Sequence, residues 1–394
     1  MKWNKERIRE AIKNGENSYI EFKEFPIKPE QLAKELVAFS NFRGGTLFLG
    51  ISDKSEITGV EKSGLEEWVM NAVSNLIEPT IIPAYQEFKT DSKTIAIIES
   101  EPGSAKPYAL KKGSARFYYI RTGSTCRLAD REQLRRLFQA SGALHGETLP
   151  VSKSAFGDLE LLTVKKYFNE YRKFETPQLD QNNEWIKLLI NNEYMVKTEL
   201  NNNALTIAGC VLFAEEPQRL LFQAGVSAAA YKGVEKDYDT FERIDISAPV
   251  SPKGLIRECL LFFQRYLSGE SLSGTMQRER KWSIPEEVLR ETLLNAVAHR
   301  DYTISANTEI SLFKNRVEII SPGSLPNSVT VERMKAGCRI SRNQIITQTL
   351  KDYRLIEHMG MGVRNKIIKG MLGFNQKEPE FLADEYQVKV VLYK

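Results

Sequence analysis

The stretch from Ser283 to Tyr302 constrains the fold more than any other, because it combines a helix start with a long apolar pattern. Ser283 and Glu286 have the spacing of a capping box, and Pro285 suits a first helical turn. We therefore predict that a helix begins here. Its buried face is predicted from the apolar spacing to comprise Val288, Leu289, Thr292, Leu293, Ala296 and Val297.

A polar column accompanies that apolar face. Glu291, Asn295 and His299 lie four residues apart, so a helix stacks them along one side. One interpretation is a solvated helix edge, which is the usual place for polar residues. The other is a site in which Asn295 supplies an oxygen ligand to Mg²⁺ while Glu291 polarises a water for attack on a phosphate.

The string from Glu291 to Asp301 supports the second interpretation. Its Glu-x-x-x-Asn-Ala core resembles the N box of the GHKL ATPases, the group that includes histidine kinases and gyrases. The longer string Leu-Asn-Ala-Val-Ala-His-Arg-Asp-Tyr resembles a divergent branch found in bacterial RecG-related proteins. The resemblance implies ATP as cofactor, with Asn295, His299 and Asp301 beside the nucleotide and Glu291 as a catalytic residue.

Two glycine turns follow the N box in the order that this resemblance requires. Ser321-Pro322-Gly323 stands where a GHKL protein has Asp-x-Gly-x-Gly, so the Asp that reads adenine is replaced by Ser321. The second turn contains Gly360 and Gly362, and amides freed by glycines hold phosphates at helix starts. We expect Gly323, Gly360 and Gly362 to contact ATP, while hydrolysis stays an open question. The chain has no Gly-x4-Gly-Lys-Ser/Thr loop, which argues against a P-loop helicase motor.

Composition favours a multidomain protein in a reducing compartment. The chain has 394 residues, 42% hydrophobic and 27% charged, which suggests two or three domains. The net charge of +4 is too small to identify a polyanionic partner by itself. The four cysteines have no zinc or disulfide spacing, and no apolar run reaches the roughly 20 residues that span a bilayer. We expect a cytoplasmic protein without a membrane partner.

The N-terminal third alternates strand and helix patterns. Residues 18–24 alternate as a strand that places Glu21 and Lys23 on the same face. A helical pattern after Pro29 ends near Asn41, and Arg43-Gly44-Gly45 turns the chain into a strand that ends before Asp53. Glu21 therefore lies within the first predicted strand, and Asp53 stands at the end of the second.

This succession resembles the Schlafen-type AlbA-like DNA-binding domain. The resemblance rests on Glu-Asn-Ser-Tyr-Ile-Glu-Phe-Lys, on Asn-Phe-Arg-Gly-Gly-Thr-Leu-Phe-Leu-Gly-Ile-Ser-Asp and on the string around Arg121. It implies binding of DNA or RNA and, in nuclease members, RNA cleavage by three carboxylates. The matching positions are Glu16, Glu21 and Asp53, which would hold Mg²⁺ or Mn²⁺ with Lys23 beside them. A solvated strand face remains the alternative.

Basic residues concentrate in the last part of this region, between Lys106 and Arg136. Aromatic residues are interleaved with them, a composition that suits phosphate contact and base stacking. We predict that nucleic acid contacts Lys111, Lys112, Arg116, Arg121 and Arg127.

The predicted architecture is α+β and multidomain. It comprises a Schlafen/AlbA-like domain at 1–145, a linker and small helical element at 146–200, and a GHKL-like α/β sandwich at 201–394. Two functions fit these parts: an ATP-regulated nucleic-acid-binding protein, such as a transcription regulator, or a metal-dependent nuclease of a defence or stress system. GHKL folds commonly change dimer state on nucleotide binding, so a homo-oligomer is expected. An assembly module without either activity is the third possibility.

Overall fold

A computed structural model describes residues 3–90, 93–103, 105–140, 145–237, 240–272, 278–326, 329–338, 340–356, 361–384 and 386–394. The chain divides into two compact units, Met1–Leu144 and His145–Lys394. Both units mix helices with sheets, so the α+β, multidomain architecture is confirmed.

The first unit is built around one mixed sheet with helices on both faces. Its helices are α1 (Lys5–Asn14), α2 (Pro29–Asn41), α3 (Leu65–Leu76) and α4 (Arg131–Ala140). Its strands are β1 (Ile20–Lys23), β2 (Gly45–Leu49), β3 (Ile77–Glu78), β4 (Ala84–Lys89), β5 (Thr94–Ser100), β6 (Ala109–Lys112), β7 (Ala115–Phe117), β8 (Tyr119–Thr122) and β9 (Thr125–Leu128). The main sheet has the order β1-β2-β5-β4, with β1 parallel to β2.

Strand alternation decides which side chains of β1 are buried by which helix. Phe22 pairs in register with Phe48 and packs in the core cluster that contains Ile8 of α1. Glu21 pairs with Leu47, whose side chain packs on the opposite side with α2 and α3. Glu21 therefore points under a helix, and its side chain is only 7% exposed.

The second unit contains the remaining elements. Its helices are α5 (Leu161–Lys166), α6 (Asn182–Asn191), α7 (Ile207–Phe213), α8 (Pro217–Leu220), α9 (Leu255–Leu267), α10 (Glu286–His299), α11 (Val331–Lys335), α12 (Gln344–Asp352) and α13 (Lys369–Asn375). Its strands are β10 (Met195–Lys197), β11 (Asn203–Leu205), β12 (Val226–Tyr231), β13 (Thr240–Ile246), β14 (Ser268–Leu272), β15 (Arg278–Trp282), β16 (Thr308–Leu312), β17 (Arg316–Pro322), β18 (Glu380–Ala383) and β19 (Gln387–Tyr393).

The large sheet of this unit has the order β13-β12-β16-β17-β19-β18, with β12 and β16 parallel and the other neighbours antiparallel. Helix α10 packs against β17, α9 and α12, in the middle of the core. Strands β16 and β17 form a hairpin around Lys314-Asn315.

The predicted capping box at the start of α10 is wrong. The helix begins at Glu286, and Pro285 precedes it without a side-chain cap. Ser283 instead donates its backbone N–H to the carbonyl of Leu267, at 2.7 Å, and so ends the β14–β15 hairpin. The Leu267 carbonyl thus binds the Ser283 N–H that a capping box would use.

The stretch predicted as a linker and small helical element, 146–200, lies inside the second unit. Its buried side chains, including Val164 and Trp185, belong to the same core cluster as Leu293 of α10. Nowhere in the described ranges is there a helix long and apolar enough to cross a membrane.

Candidate functional site

A cavity of about 400 Å³ lies in the second unit beside α10. Glu291, Asn295 and His299 all line it, because their four-residue spacing keeps them on one side of the helix. The wall is largely apolar and includes Ile319, Met334, Val363, Ile367, Phe381 and Val390. An apolar cavity with a few convergent polar groups is the usual form of a small-molecule site.

Glu291 is the acidic residue among the described residues that line this cavity. Asn295 Nδ2 donates to the Glu291 backbone carbonyl at 2.7 Å and to its Oε1 at 2.9 Å. Lys366 Nζ lies 3.7 Å from Oε2. A Cβ placed on Gly362 would lie 1.8 Å from Glu291 Oε1, so this glycine lets the backbone approach the carboxylate. Gly362 leads directly into a π-type helical segment, Val363–Ile368, that carries Lys366.

His299 faces the cavity as a neutral imidazole. Burial, followed by the positive charges of Arg342 and Lys351, lowers its pKa to about 4. Its Nδ1 is buried and has no hydrogen-bond partner among the described residues. A neutral ring with an unused nitrogen in a cavity wall can bond a ligand without changing the charge of the site.

Asp301, which we predicted to bind the cofactor, does not line the cavity among the residues described here. Its Oδ1 accepts from the Thr303 N–H at 2.9 Å, and its Oδ2 lies 3.3 Å from Arg342 Nη1. Gly323 packs against it in a left-handed conformation, with φ of 103°. A Cβ on Gly323 would lie 2.6 Å from Asp301 Cβ, so Asp301 packs directly against the glycine turn.

The first glycine turn lines the cavity through Ser321 and Gly323. Ser321 Oγ donates to the Ala296 carbonyl of α10 at 2.7 Å, which fastens the turn to the helix. Gly360, the first glycine of the second turn, lies outside the described residues. The second turn is therefore represented at the cavity by Gly362.

Helix α12 supplies two further lining residues, Thr347 and Lys351, that we did not predict. The buried carboxylate of Glu147 accepts from the N–H groups of Ile345 and Ile346 at 2.9 and 3.0 Å, at the start of this helix.

The other end of α12 is held by tyrosines. Tyr194 Oη lies 2.9 Å from Thr349 Oγ1, and Tyr167 Oη donates to Asp352 Oδ2 at 2.7 Å. Both tyrosines are buried and come from the stretch between the units' boundary and β10. That stretch therefore fixes the helix that presents Lys351.

In the first unit, the predicted catalytic acid Glu21 lies in a closed charge cluster. Its Oε2 is 2.7 Å from Arg121 Nη1, and Lys23 Nζ donates to its Oε1. Glu35 of α2 also contacts Arg121, at 3.2 Å, and burial followed by the charge of Glu21 raises the pKa of Glu35. Glu16 accepts from the Phe22 N–H at 2.9 Å and lies 3.9 Å from Lys23.

Arg121 was predicted to contact phosphate, and the structure buries it instead. Its side chain is 0% exposed and is held by Glu21, Glu35 and, at 2.7 Å, the carbonyl of Asn17. The physical reason is that two buried carboxylates need a cation, which the facing strand β8 supplies.

The predicted metal ligands Glu16, Glu21 and Asp53 do not form a metal site in the described part of the chain. No group of three or more His, Cys, Asp or Glu side chains there could hold an ion. Asp53 is exposed after β2, and Glu21 is already neutralised by Lys23 and Arg121. Burial, with the charges of Glu21 and Asp53 contributing, raises the pKa of Glu16. Within the described ranges, Asn295 likewise has no such group of ligands beside it.

The other predicted nucleic-acid contacts lie on two hairpins. Lys111 pairs in register with Arg116 across β6 and β7, and Arg116 contacts Glu78 at 2.7 Å. Lys112 is exposed, with Nζ 5.6 Å from the Phe117 ring. Arg127 is exposed on β9. Among the described residues, Lys111, Lys112 and Arg127 form no ion pair with a carboxylate, whereas Arg116 is paired with Glu78.

Two cavity cations were missed from the sequence: Lys351 and Lys366. A lone lysine or arginine has no diagnostic spacing, so sequence alone gives no reason to single these out. Lys366 follows Gly362 by one helical turn, and Lys351 follows Thr347 by one turn. Those spacings are the signals that, in retrospect, connect both lysines to lining residues.

Two parts of the chain match known families. Residues 16–130 match the family described as Schlafen, AlbA_2. Residues 305–392 match the family HATPase_c_4, described as "Putative ATP-dependent DNA helicase recG C-terminal". Both resemblances predicted from the motifs are thereby confirmed. The second match begins after α10, so Glu291 and Asn295 lie outside it, whereas Gly323, Lys351 and Lys366 lie inside.

Two solved structures are similar to the chain. The crystal structure of the DIP2311 protein from Corynebacterium diphtheriae has a TM-score of 0.45 and 19% identity, over 95% of this chain and 75% of that one. The N-terminal domain of a putative ATP-dependent DNA helicase RecG-related protein from Nitrosomonas europaea has a TM-score of 0.25 and 21% identity, over 33% of this chain and 94% of that one. No curated protein matches the chain.

Proposed function

We propose that this chain is an ATP-responsive nucleic-acid-binding protein, with the nucleic acid on the first unit and ATP in the cavity of the second. The observation that carries the proposal is the cavity itself, where the polar column of α10 meets Gly323, Gly362 and Lys366. Within this function, control of transcription is the role that we favour.

The cavity residues fit a nucleotide by their chemistry. The apolar wall suits a base, and Lys351 and Lys366 suit a triphosphate because they are point charges with flexible stems. Gly362 packs closely on the Glu291 carboxylate, at the start of the segment that brings Lys366 to the cavity. Asn295 would hold the Mg²⁺ that accompanies ATP and supplies charge neutralisation.

Ser321 replaces the aspartate that reads adenine in GHKL proteins, and its hydroxyl is used by the Ala296 carbonyl. The base is then held mainly by apolar contact, so we expect weak discrimination between ATP and GTP. Competition between the two nucleotides for the same cavity measures this directly.

Calorimetry with Mg-ATP on the wild type and on Asn295→Ala tests the nucleotide assignment. Loss of the Asn295 amide removes a metal ligand and frees Glu291 Oε1, so the affinity should fall about tenfold. Asn202→Ala, the same substitution at an exposed position outside the cavity, is the control and should bind like the wild type. Equal heats for Asn295→Ala and wild type would refute the role given to Asn295.

Regulation is tested by measuring oligomeric state and nucleic-acid affinity with and without Mg-ATP. We expect ATP to shift the chain towards a homo-oligomer and to change its affinity for DNA or RNA. A nucleic-acid affinity that does not respond to saturating ATP would leave two independent binding activities and contradict the proposal.

Nucleic-acid cleavage is the second function predicted for the first unit. The observation in its favour is that Glu16 and Glu21 lie on either side of the Lys23 ammonium, which contacts both carboxylates. Purified protein with Mn²⁺ is incubated with transfer RNA and with single-stranded DNA, beside Glu21→Gln. Cleavage that Glu21→Gln abolishes without loss of binding would support this function; intact substrates would reject it.

A further inference from the structure

An aromatic and cationic cluster lies at the turn after α2, outside the groups discussed so far. The Tyr19 and Phe42 rings have centroids 5.7 Å apart, and the Arg43 guanidinium lies 5.9 Å from the Phe42 ring. Lys106 Nζ donates to the Phe42 carbonyl at 2.6 Å. We call these four residues the Tyr19 platform.

The Tyr19 ring and the Arg43 guanidinium of the platform face solvent. Tyr19 is 46% exposed, Arg43 is exposed and Phe42 is half-buried. Among the residues that the structure describes, neither Arg43 nor Lys106 forms an ion pair with a carboxylate. Arg43 therefore carries an exposed charge beside an exposed ring, and the Lys106 ammonium is held beside them at the Phe42 carbonyl.

The backbone that presents the platform is fixed. Asn41 is buried, with Nδ2 donating to the carbonyls of Tyr108 and Tyr119 at 2.8 and 2.9 Å. Its Oδ1 accepts from the Tyr108 N–H at 2.7 Å. Gly44 has φ of 80°, and a Cβ there would lie 2.7 Å from the Ser100 carbonyl oxygen. Because the turn is rigid, a ligand would lose little free energy in ordering it.

The other half of the platform is equally fixed. The Tyr19 N–H donates to Asn17 Oδ1 at 2.8 Å, and the Tyr19 carbonyl accepts from the Thr46 N–H at 2.7 Å. Asn41 also fastens the turn to Tyr119, the first residue of β8, whose hairpin carries Arg127. The platform is thus connected to the basic hairpins of the same unit.

The charges of the platform favour an anion. Burial, followed by the charge of Arg43, lowers the pKa of Lys106 to about 8. Each of two neighbouring cations raises the energy of the other, and a phosphate between them would relieve that repulsion. The tyrosine ring offers a flat apolar surface at the same place.

We propose that the Tyr19 platform binds one unpaired nucleotide of a single-stranded nucleic acid, with the base on Tyr19 and the phosphate at Arg43 and Lys106. A base can stack on a protein ring only when it is outside a duplex, which is why the occupant is single-stranded. The inference rests on the proposed function, because it specifies which form of nucleic acid the first unit binds and which residues contact it.

The test measures binding of fluorescein-labelled oligo-dT and oligo-U, about 12 nucleotides long to cover a typical single-strand site, to the full chain by fluorescence anisotropy. Tyr19→Leu keeps the apolar bulk but removes the ring, so its affinity should fall about tenfold, the worth of one stacked base. Tyr19→Phe retains the ring and should bind like the wild type. A duplex of the same length should bind Tyr19→Leu and wild type equally.

A charge variant provides an independent measurement. Arg43→Gln should reduce the slope of log affinity against log salt by about 0.7, the value for one phosphate contact on a single strand. Arg9→Gln, exposed on α1, removes the same charge elsewhere and should leave the slope unchanged. Circular dichroism checks that each variant folds.

The proposal is overturned if Tyr19→Leu binds single strands like Tyr19→Phe, or if the wild type binds duplex alone. In either case the nucleic-acid part of the proposed function survives. If neither form binds at all, that part fails together with the platform. ATP binding is measured separately by calorimetry and is not affected by any of these outcomes.

Discussion

Glu21 of the first unit and Glu291 of the second were both predicted to be catalytic, and both are buried beside a lysine. Glu21 is enclosed by Lys23 and by Arg121, which lies 2.7 Å away and is itself inaccessible. Glu291 lies 3.7 Å from Lys366 and lines a cavity of about 400 Å³. The Glu21 carboxylate is enclosed by its ion-pair partners, whereas the Glu291 carboxylate faces a cavity that has room for a ligand.

The difference teaches that a catalytic motif must be judged by what already neutralises its acid. A carboxylate held by an inaccessible arginine contributes to the fold, and removing its cation is costly. A carboxylate in a cavity wall keeps partners that a ligand can replace. Glu291, and not Glu21, is therefore the carboxylate that we expect to take part in ligand chemistry.

Glu147 provides a third case, a buried glutamate whose partners are backbone amides. Burial raises its pKa to about 7, although the N–H groups of Ile346 and Ile345 act in the opposite direction. Glu147 is thus a buried carboxylate whose partners are backbone amides and not a cation, and its pKa is raised.

The largest expected effect follows from removing the cation of the closed cluster. Arg121→Ala leaves Glu21 and Glu35 buried without their shared partner, so the free energy of unfolding of the first unit should fall by about 3–5 kcal/mol. Chemical denaturation, followed by hydrogen exchange in peptides from β1 and β2, measures this loss.

Arg127→Ala is the matched control for that variant, because it removes an exposed arginine from the neighbouring strand β9. It should change the unfolding free energy by no more than about 0.5 kcal/mol. Equal stability of the Arg121 and Arg127 variants would break the comparison, because the closed cluster would then have no structural role.

An intermediate effect is expected from pH at Glu147. Its folded pKa of about 7 lies above its usual value of 4.5, so the folded protein binds more protons between these pH values. Stability from this group is complete below pH 4.5 and is lost as the pH rises to about 7, by at most about 3 kcal/mol.

Glu147→Gln should lack that component of the pH dependence, while the other carboxylates titrate as before. The measurement is the difference in unfolding free energy between wild type and variant at several pH values from 4 to 8, the span over which a carboxyl with a raised pKa titrates. Parallel curves would show that Glu147 titrates normally.

The smallest stability effect is expected for Glu291→Gln. The amide can still accept from Asn295, and the cavity keeps Lys366 near solvent, so unfolding free energy should change by about 1 kcal/mol or less. ATP binding should persist, while any ATP turnover should be lost. A stability loss as large as that of Arg121→Ala would make Glu291 a second closed cluster.

The sequence predicted what depends on local spacing. The column of Glu291, Asn295 and His299 reaches one cavity because helical periodicity alone puts the three on one side. The alternation of Glu21 and Phe22 on β1 follows equally from the strand period. Both relations hold within a few residues, so no tertiary information is needed.

What the sequence could not predict depends on partners far along the chain. Arg121 contacts Glu21 and Glu35, which precede it by 100 and 86 residues, and only the packed sheet brings them together. Ser283 does not form the capping box because its N–H binds the carbonyl of Leu267, the last residue of α9, and the helix begins only at Glu286. In both cases a long-range contact outweighed a local preference.

Hydrogen bonds to Glu147, Tyr167 and Tyr194 anchor α12, and this anchoring has an evolutionary consequence. A recombination event that exchanged the first unit for another would have to cross over before Glu147 for the cavity helix to remain anchored. The stretch that resembles a spacer would then be inherited with the nucleotide site. Related chains with different N-terminal units should therefore retain an acid at this position together with α12, as one heritable module.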